Sequence, residues 1–135
     1  MNETRRTSLE RFLHARASLD RALAEPIVTA RDEAGAIKNF EFVFETCFKA
    51  LRDRLANEGL VANSPRQSFV QAYKAGWIDD EETWLRMLED RNLTVHTYNE
   101  GLAHDILERI QRLYAPAFAA LSKVLTPLPS DPTGR

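Results

Sequence analysis

The sequence predicts an all-α protein: an antiparallel up-and-down bundle of about five helices, with a four-helix-bundle core and a kinked last helix. Three observations carry that expectation. Apolar residues recur at three- and four-residue steps through nearly every segment, the period of a helix face. The 5 glycines and 6 prolines among 135 residues fall mostly between those segments. No stretch of useful length alternates as a strand would. The breaks are too short for crossover connections, so neighbouring long helices should run antiparallel.

The elements follow in order. From about Thr7 to Ala24, Leu9, Phe12, Leu13, Leu19 and Leu23 form an apolar stripe, and Pro26 stops the segment. The second helix has the strongest pattern: Ile37, Phe40, Phe44, Cys47, Leu51 and Leu55. Asp32 is placed to cap its start and Gly59 to end it. Ser64-Pro65-Arg66-Gln67 reads as a capping box with proline at the first helical position, opening a short third helix that ends near Gly76. The fourth starts in Asp79-Asp80-Glu81-Glu82, where carboxylates suit the positive helix end, and carries Trp84, Leu85 and Leu88. The fifth begins near Asn99 and continues through Leu102, Ile106, Ile110, Leu113, Ala117, Leu121 and Val124. Pro116 lies inside it and removes the hydrogen bond to the Arg112 carbonyl, so a kink is expected there. One domain spans residues 1–125, and the proline-rich stretch 126–135 reads as a disordered tail.

Composition excludes several classes. One cysteine rules out a disulfide framework and a Cys-rich zinc site. No apolar run approaches the ~20 residues of a membrane span. The amino end, Met1 to Arg6, lacks the apolar core of a signal peptide, so cytoplasmic residence is the default expectation. A net charge of -2 argues against a large basic nucleic-acid surface but leaves room for a small site that handles one phosphate. There is no His-x3-His pair, no glycine-rich phosphate loop and no Gly-x-Ser-x-Gly elbow, so neither metal nor cofactor is expected. His14 and His104 read as surface residues.

Phe42 stands about 200° from both Phe40 and Phe44 on the second helix. Either that helix is packed on two sides or Phe42 faces a partner chain. Glu41 and Glu45 read as solvated charges, with Glu45 within reach of Lys49 at i,i+4.

The polar stretch Glu89 to Tyr98 concentrates groups that can do chemistry. Arg91 offers a permanently charged fork for phosphate oxygens, and His96 is of the residue type that moves protons near neutral pH. Asn92 and Tyr98 add hydrogen-bonding groups. These suffice for metal-free cleavage of RNA, in which a base takes the ribose 2′-OH proton and a cation stabilises the phosphorane. Geometry sets a condition. On a continuous helix Arg91 and His96 stand about 140° apart. A common site therefore needs the helix to end between Leu93 and His96, or a second subunit to complete it. Without such a site, Arg91 would simply pair with an acid and His96 would belong to a connector.

The run Met87-Leu88-Glu89-Asp90-Arg91-Asn92-Leu93-Thr94-Val95-His96-Thr97-Tyr98 resembles the HEPN superfamily, in its branch of nucleotidyltransferase substrate-binding proteins. Phe40 to Glu45 with Lys49, Leu51 and Arg52, then Ser64-Pro65-Arg66, Ala75-Gly76-Trp77-Ile78 and Tyr114-Ala115-Pro116-Ala117 are similar to that branch in the same order. The likeness covers residues 8 to 125. It implies a helical bundle that usually dimerises and a partner, a minimal nucleotidyltransferase. In toxin–antitoxin members of the branch, the HEPN protein is a metal-independent ribonuclease whose Arg-x4-His pair is often assembled across the dimer. The nucleotidyltransferase neutralises it by attaching AMP to the tyrosine. Carried over, Arg91 binds the scissile phosphate, His96 acts as acid and base, Asn92 holds the phosphate or the motif, and Tyr98 is modified. The alternative is a non-catalytic subunit that binds nucleotide or substrate for the nucleotidyltransferase through Arg91, Asn92 and Tyr98. A plain helical interaction module is the third reading.

Overall fold

The computed structural model describes residues 7–96 and 98–127. The residues beyond 127 expected to form a tail lie outside that range. The helices are α1 (Ser8–Ala24), α2 (Ala30–Asn57), α3 (Pro65–Lys74), α4 (Glu81–His96), α5 (Glu100–Arg109) and α6 (Ala115–Leu125), the last two joined by a π-helical turn at Ile110–Tyr114. Counting α5, that turn and α6 as one rod, the described residues make the five helices that the sequence pattern predicts. The described residues contain no strand.

Local chemistry sets the boundaries. Thr7 caps α1, and Glu10 returns its side chain to the Thr7 N–H. α2 starts three residues earlier than an Asp32 cap would allow. Thr29 is the cap, and Asp32 is the other half of the box, accepting N–H bonds from Thr29 and Val28 at 3.0 Å each. Those backbone donors hold the Asp32 carboxyl below the usual carboxylate range. At α3, Ser64 caps the Gln67 N–H, but the Gln67 side chain accepts from Asn63 at 2.7 Å and not from Ser64. Gly59 and Gly76 adopt φ of 79° and 81°. Each lets the next residue bond back to the helix, Leu60 N–H to the Leu55 carbonyl and Trp77 N–H to Ala72, which ends α2 and α3 without strain. Asp80 opens α4 by accepting from the Thr83 N–H at 3.2 Å and hydroxyl at 2.6 Å.

Contacts between helices fix their directions. Ser18 late in α1 donates to Asn39 at 3.0 Å, so α1 runs against α2. Asp90 near the end of α4 meets Arg109, and Trp84 near its start meets Phe118, so α4 runs against the last rod. α2 and that rod run the same way. His104 meets Glu33, Phe40 stacks on Tyr114 at 5.6 Å, and Arg54 reaches the Leu125 carbonyl. Same-sense packing is what an up-down-up-down bundle imposes on its second and fourth members.

An aromatic chain runs through the centre: Phe44 against Phe69, Phe69 against Trp84, Trp84 against Phe118, and Phe118 against Phe12 and Phe40. All are buried, each contributing about 1.5–3 kcal/mol by leaving water. Cys47 is buried among them, and burial pushes its thiol well above the ordinary range.

The break expected near Arg112 takes the form of the π-helical turn. The Ala115 N–H bonds to Ile110, five residues back, just before Pro116 removes a donor. The widened turn also brings Arg109 and Tyr114, themselves five apart, onto one side of the rod, where both reach Asp90.

Candidate active site

Arg91 occupies a position that its helix would otherwise give to an apolar residue. Trp84, Leu88, Arg91 and Val95 follow one stripe of α4. At its start the stripe packs on α3 and α6 through Trp84, and at Arg91 it meets α2, so the Arg91 side chain lies along the α2–α4 seam. Its guanidinium stands 5.0 Å above the Phe44 ring. One terminal nitrogen donates to the Glu45 carboxylate at 2.8 Å, the other to the Asn92 side-chain oxygen at 3.2 Å. The pairing of Glu45 with Lys49 is thus corrected: Glu45 reaches across to α4.

Arg91 opens onto a groove of about 650 Å³ lined by Lys38, Asn39, Phe42, Glu45 and Val95. Phe42 and Val95 are each 55% exposed at its rim. α1, α3, α4 and α5 do pack round α2, as the first reading of Phe42 expects, but that packing leaves Phe42 itself uncovered. Within this chain the ring faces outward.

α4 continues unbroken through His96. This eliminates the first route to a common site, an early helix end. Within one chain Arg91 and His96 are about 140° apart round the axis and about 7.5 Å along it. His96 and Asn92 are exposed, and so is Tyr98 beyond the helix, at 49%. Thr97, between them, lies outside the described residues. One protomer therefore joins Arg91 with Asn92 and Glu45, but it leaves His96 on another face. His14 and His104 are exposed, and His104 lies 3.3 Å from Glu33. Among the described residues no group of three or more His, Cys, Asp or Glu side chains is placed to hold a metal ion. No helix among them is long and apolar enough to cross a membrane.

Sequence reasoning gave no role to Asp90, the residue before Arg91. It is 3% exposed. Arg109 grips it through two bonds, at 2.7 and 2.9 Å, and the Tyr114 hydroxyl donates to the same carboxylate. Burial and the adjacent carboxylate push the Tyr114 phenol up, and the bond to Asp90 keeps Arg109 firmly protonated. The network fixes the rotation of α4 and so the direction in which Arg91 projects. One signal was available: Asp90 falls on the stripe of Met87 and Thr94, where a charge must find a buried partner.

The fold and this site define a class: a helical bundle that carries Arg-x4-His-x-Tyr at the end of its fourth helix. Residues 7–126 match the model of the family described as nucleotidyltransferase substrate binding protein like, and the chain belongs to that family. This is the HEPN branch to which the motif pointed. The chain is 30% identical over 82 residues to the probable ribonuclease HepT of Haemophilus influenzae. That match covers 57% of this chain and 56% of the relative, about half the length of each. A crystal structure from Thermus thermophilus superposes with a TM-score of 0.79 at 33% identity, over 86% of this chain and 99% of the other. A Haemophilus influenzae structure, described as the fold of a substrate binding domain of a nucleotidyltransferase, superposes with a TM-score of 0.76 at 26% identity, over 87% and 98%.

Proposed function

We propose that the protein is a metal-independent endoribonuclease whose centre is assembled from Arg91 and Asn92 of one protomer and His96 of a second. The observation that carries this reading is Arg91 itself, a permanent cation at the mouth of an open groove, within the complete motif. Similarity to a probable ribonuclease supports it. The exposed Phe42 and Val95 at the groove rim supply apolar surface for a homodimer, and a second copy would supply the histidine that α4 turns away. In the reaction His96 takes the ribose 2′-OH proton. The 2′-oxygen attacks phosphorus, the bond from phosphorus to the 5′-oxygen breaks, and the leaving 5′-oxygen takes the proton back from His96, giving a cyclic phosphate. Arg91 stabilises the charge that builds on the phosphoryl oxygens, and Asn92 holds Arg91 in place.

The family supports a nucleotidyltransferase as partner, and in this reading that partner is a minimal nucleotidyltransferase in a cytoplasmic toxin–antitoxin pair. The exposed Tyr98 hydroxyl would attack the α-phosphate of ATP in that partner's site, releasing pyrophosphate and leaving AMP on the tyrosine. The adduct sets a phosphodiester and a nucleoside close to the motif, so it opposes RNA by charge and by bulk. Mass spectrometry after incubation with the partner and ATP tests this step: the adduct maps to Tyr98 and disappears in Tyr98→Phe.

Purified protein should cleave RNA in EDTA, and folded Arg91→Ala and His96→Ala should not. Undiminished cleavage by both variants would remove the assignment. A second reading, a non-catalytic subunit that binds nucleotide or substrate for the nucleotidyltransferase, draws on the structural neighbour described as such a domain. Calorimetry separates the two, since that subunit binds nucleotide and leaves RNA intact.

A further inference from the structure

Glu45 sets a negative charge against the very cation that would bind phosphate. Arg91 carries five N–H donors, and two are engaged, by Glu45 and Asn92, leaving three for a ligand. A phosphate that uses them comes to rest within a few ångströms of the Glu45 carboxylate. Two anions would then share one guanidinium. The Glu45–Arg91 pair is half-buried, with side chains 41% and 26% exposed, so water screens it only in part. Glu45 does not otherwise stabilise the core, and no other protein group among the described residues bonds its carboxylate.

Resting on the ribonuclease reading above, we propose that Glu45 is a positioning residue that acts through Arg91. It holds the guanidinium over Phe44 and aims it into the groove, and its charge competes with the RNA phosphodiester for that guanidinium. The pair keeps Arg91 preorganised without ligand, and it weakens ground-state binding of any single phosphate. A phosphorane, which carries more negative charge than the phosphodiester, draws Arg91 away from Glu45 more strongly than the substrate does. The device therefore favours the transition state over the bound substrate. Glu41 is a built-in control. It lines the same groove one helical turn earlier, and it makes no bond to Arg91.

The test uses a 2′-O-methyl oligonucleotide, which cannot be cleaved, for affinity, and unmodified RNA for rate. Glu45→Gln keeps an oxygen that accepts from Arg91 but removes the charge. It should bind the analogue about three-fold more tightly and lower KM for RNA to match. Glu41→Gln, which relieves only repulsion across the groove and touches no bond to Arg91, should gain clearly less than Glu45→Gln. Glu45→Ala removes the support as well as the charge, so kcat should fall about ten-fold or more while KM does not rise. In an Arg91→Ala background, Glu45→Gln should have no effect. Unchanged or weaker binding by Glu45→Gln, an equal gain from Glu41→Gln, or a gain that persists without Arg91 would each overturn the proposal. Arg91→Ala alone keeps the two levels apart. If it leaves both binding and cleavage intact, the ribonuclease reading itself fails. If it abolishes both while Glu45→Gln changes nothing, only the role of Glu45 is lost.

Discussion

Asp90 and Arg91 are consecutive in the chain and meet opposite charges on different faces of α4, about 100° apart. Asp90 turns inward to Arg109 and Tyr114, while Arg91 turns along the α2 seam to Glu45. The inner pair is nearly dry, 5% and 18% exposed, and the outer pair is half-buried at the edge of the groove. One charge pair therefore builds the helix position, and the other belongs to the groove.

That difference predicts unequal costs of removal. Asp90→Ala leaves Arg109 and the Tyr114 hydroxyl unpaired in the interior and should destabilise the protein by about 3–5 kcal/mol. Arg91→Ala removes a half-buried, partly screened pair and leaves Glu45 free to turn to water, so it should cost about 1 kcal/mol. Urea unfolding of the two variants measures both, and equal losses would contradict the separation of roles.

The helix caps predict an acid response. Hydrogen bonds from Thr83 hold the Asp80 carboxyl below the ordinary range in the folded chain, and those from Thr29 and Val28 do the same for Asp32. In the unfolded chain both carboxyls bind protons more readily, so stability rises with pH through that window. The contribution is complete above the unfolded carboxylate range and is lost as pH falls through the lower folded values. Asp80→Asn keeps the cap geometry without the charge, so its melting temperature should fall less steeply than wild type below about pH 4. Parallel curves would show that Asp80 contributes no linkage.

Phe42 predicts the state of association. Placing a carboxylate at the centre of an apolar rim opposes burial against another chain. Phe42→Glu should leave the helical content and melting behaviour close to wild type, because the ring touches solvent in one protomer. It should shift the protein from dimer to monomer in sedimentation, and the monomer should lose RNA cleavage. A variant that stays dimeric and active would place the interface elsewhere.

Much of this architecture was legible because it is local. Gly59 and Gly76 mark helix ends through their own backbone preferences, Pro65 marks a start, and the stripe of Phe40, Phe44, Cys47 and Leu51 gives the buried face of α2. Asp32 was misplaced by one role because Thr29 and Asp32 are both good cap residues and act together. What was not legible is long-range. Glu45 and Arg91 are 46 residues apart, and nothing near Glu45 distinguishes an i,i+4 bond to Lys49 from one across the seam. Pro116 announced a break but not its form. The π-helical turn also meets the demand of Asp90 for two partners five residues apart. In the motif, the residue types were readable at once. The face on which His96 stands depended on whether α4 stopped early, and it does not.

Mixing two dead variants tests the shared centre most directly. Arg91→Ala and His96→Ala homodimers, each inactive, are unfolded together, refolded and assayed on RNA in EDTA. If each centre takes Arg91 from one protomer and His96 from the other, half of the random dimers carry one intact centre, and activity returns to about a quarter of wild type. If both residues serve within one chain, no mixture contains an intact centre. Activity that stays at zero after verified heterodimer formation would contradict the account.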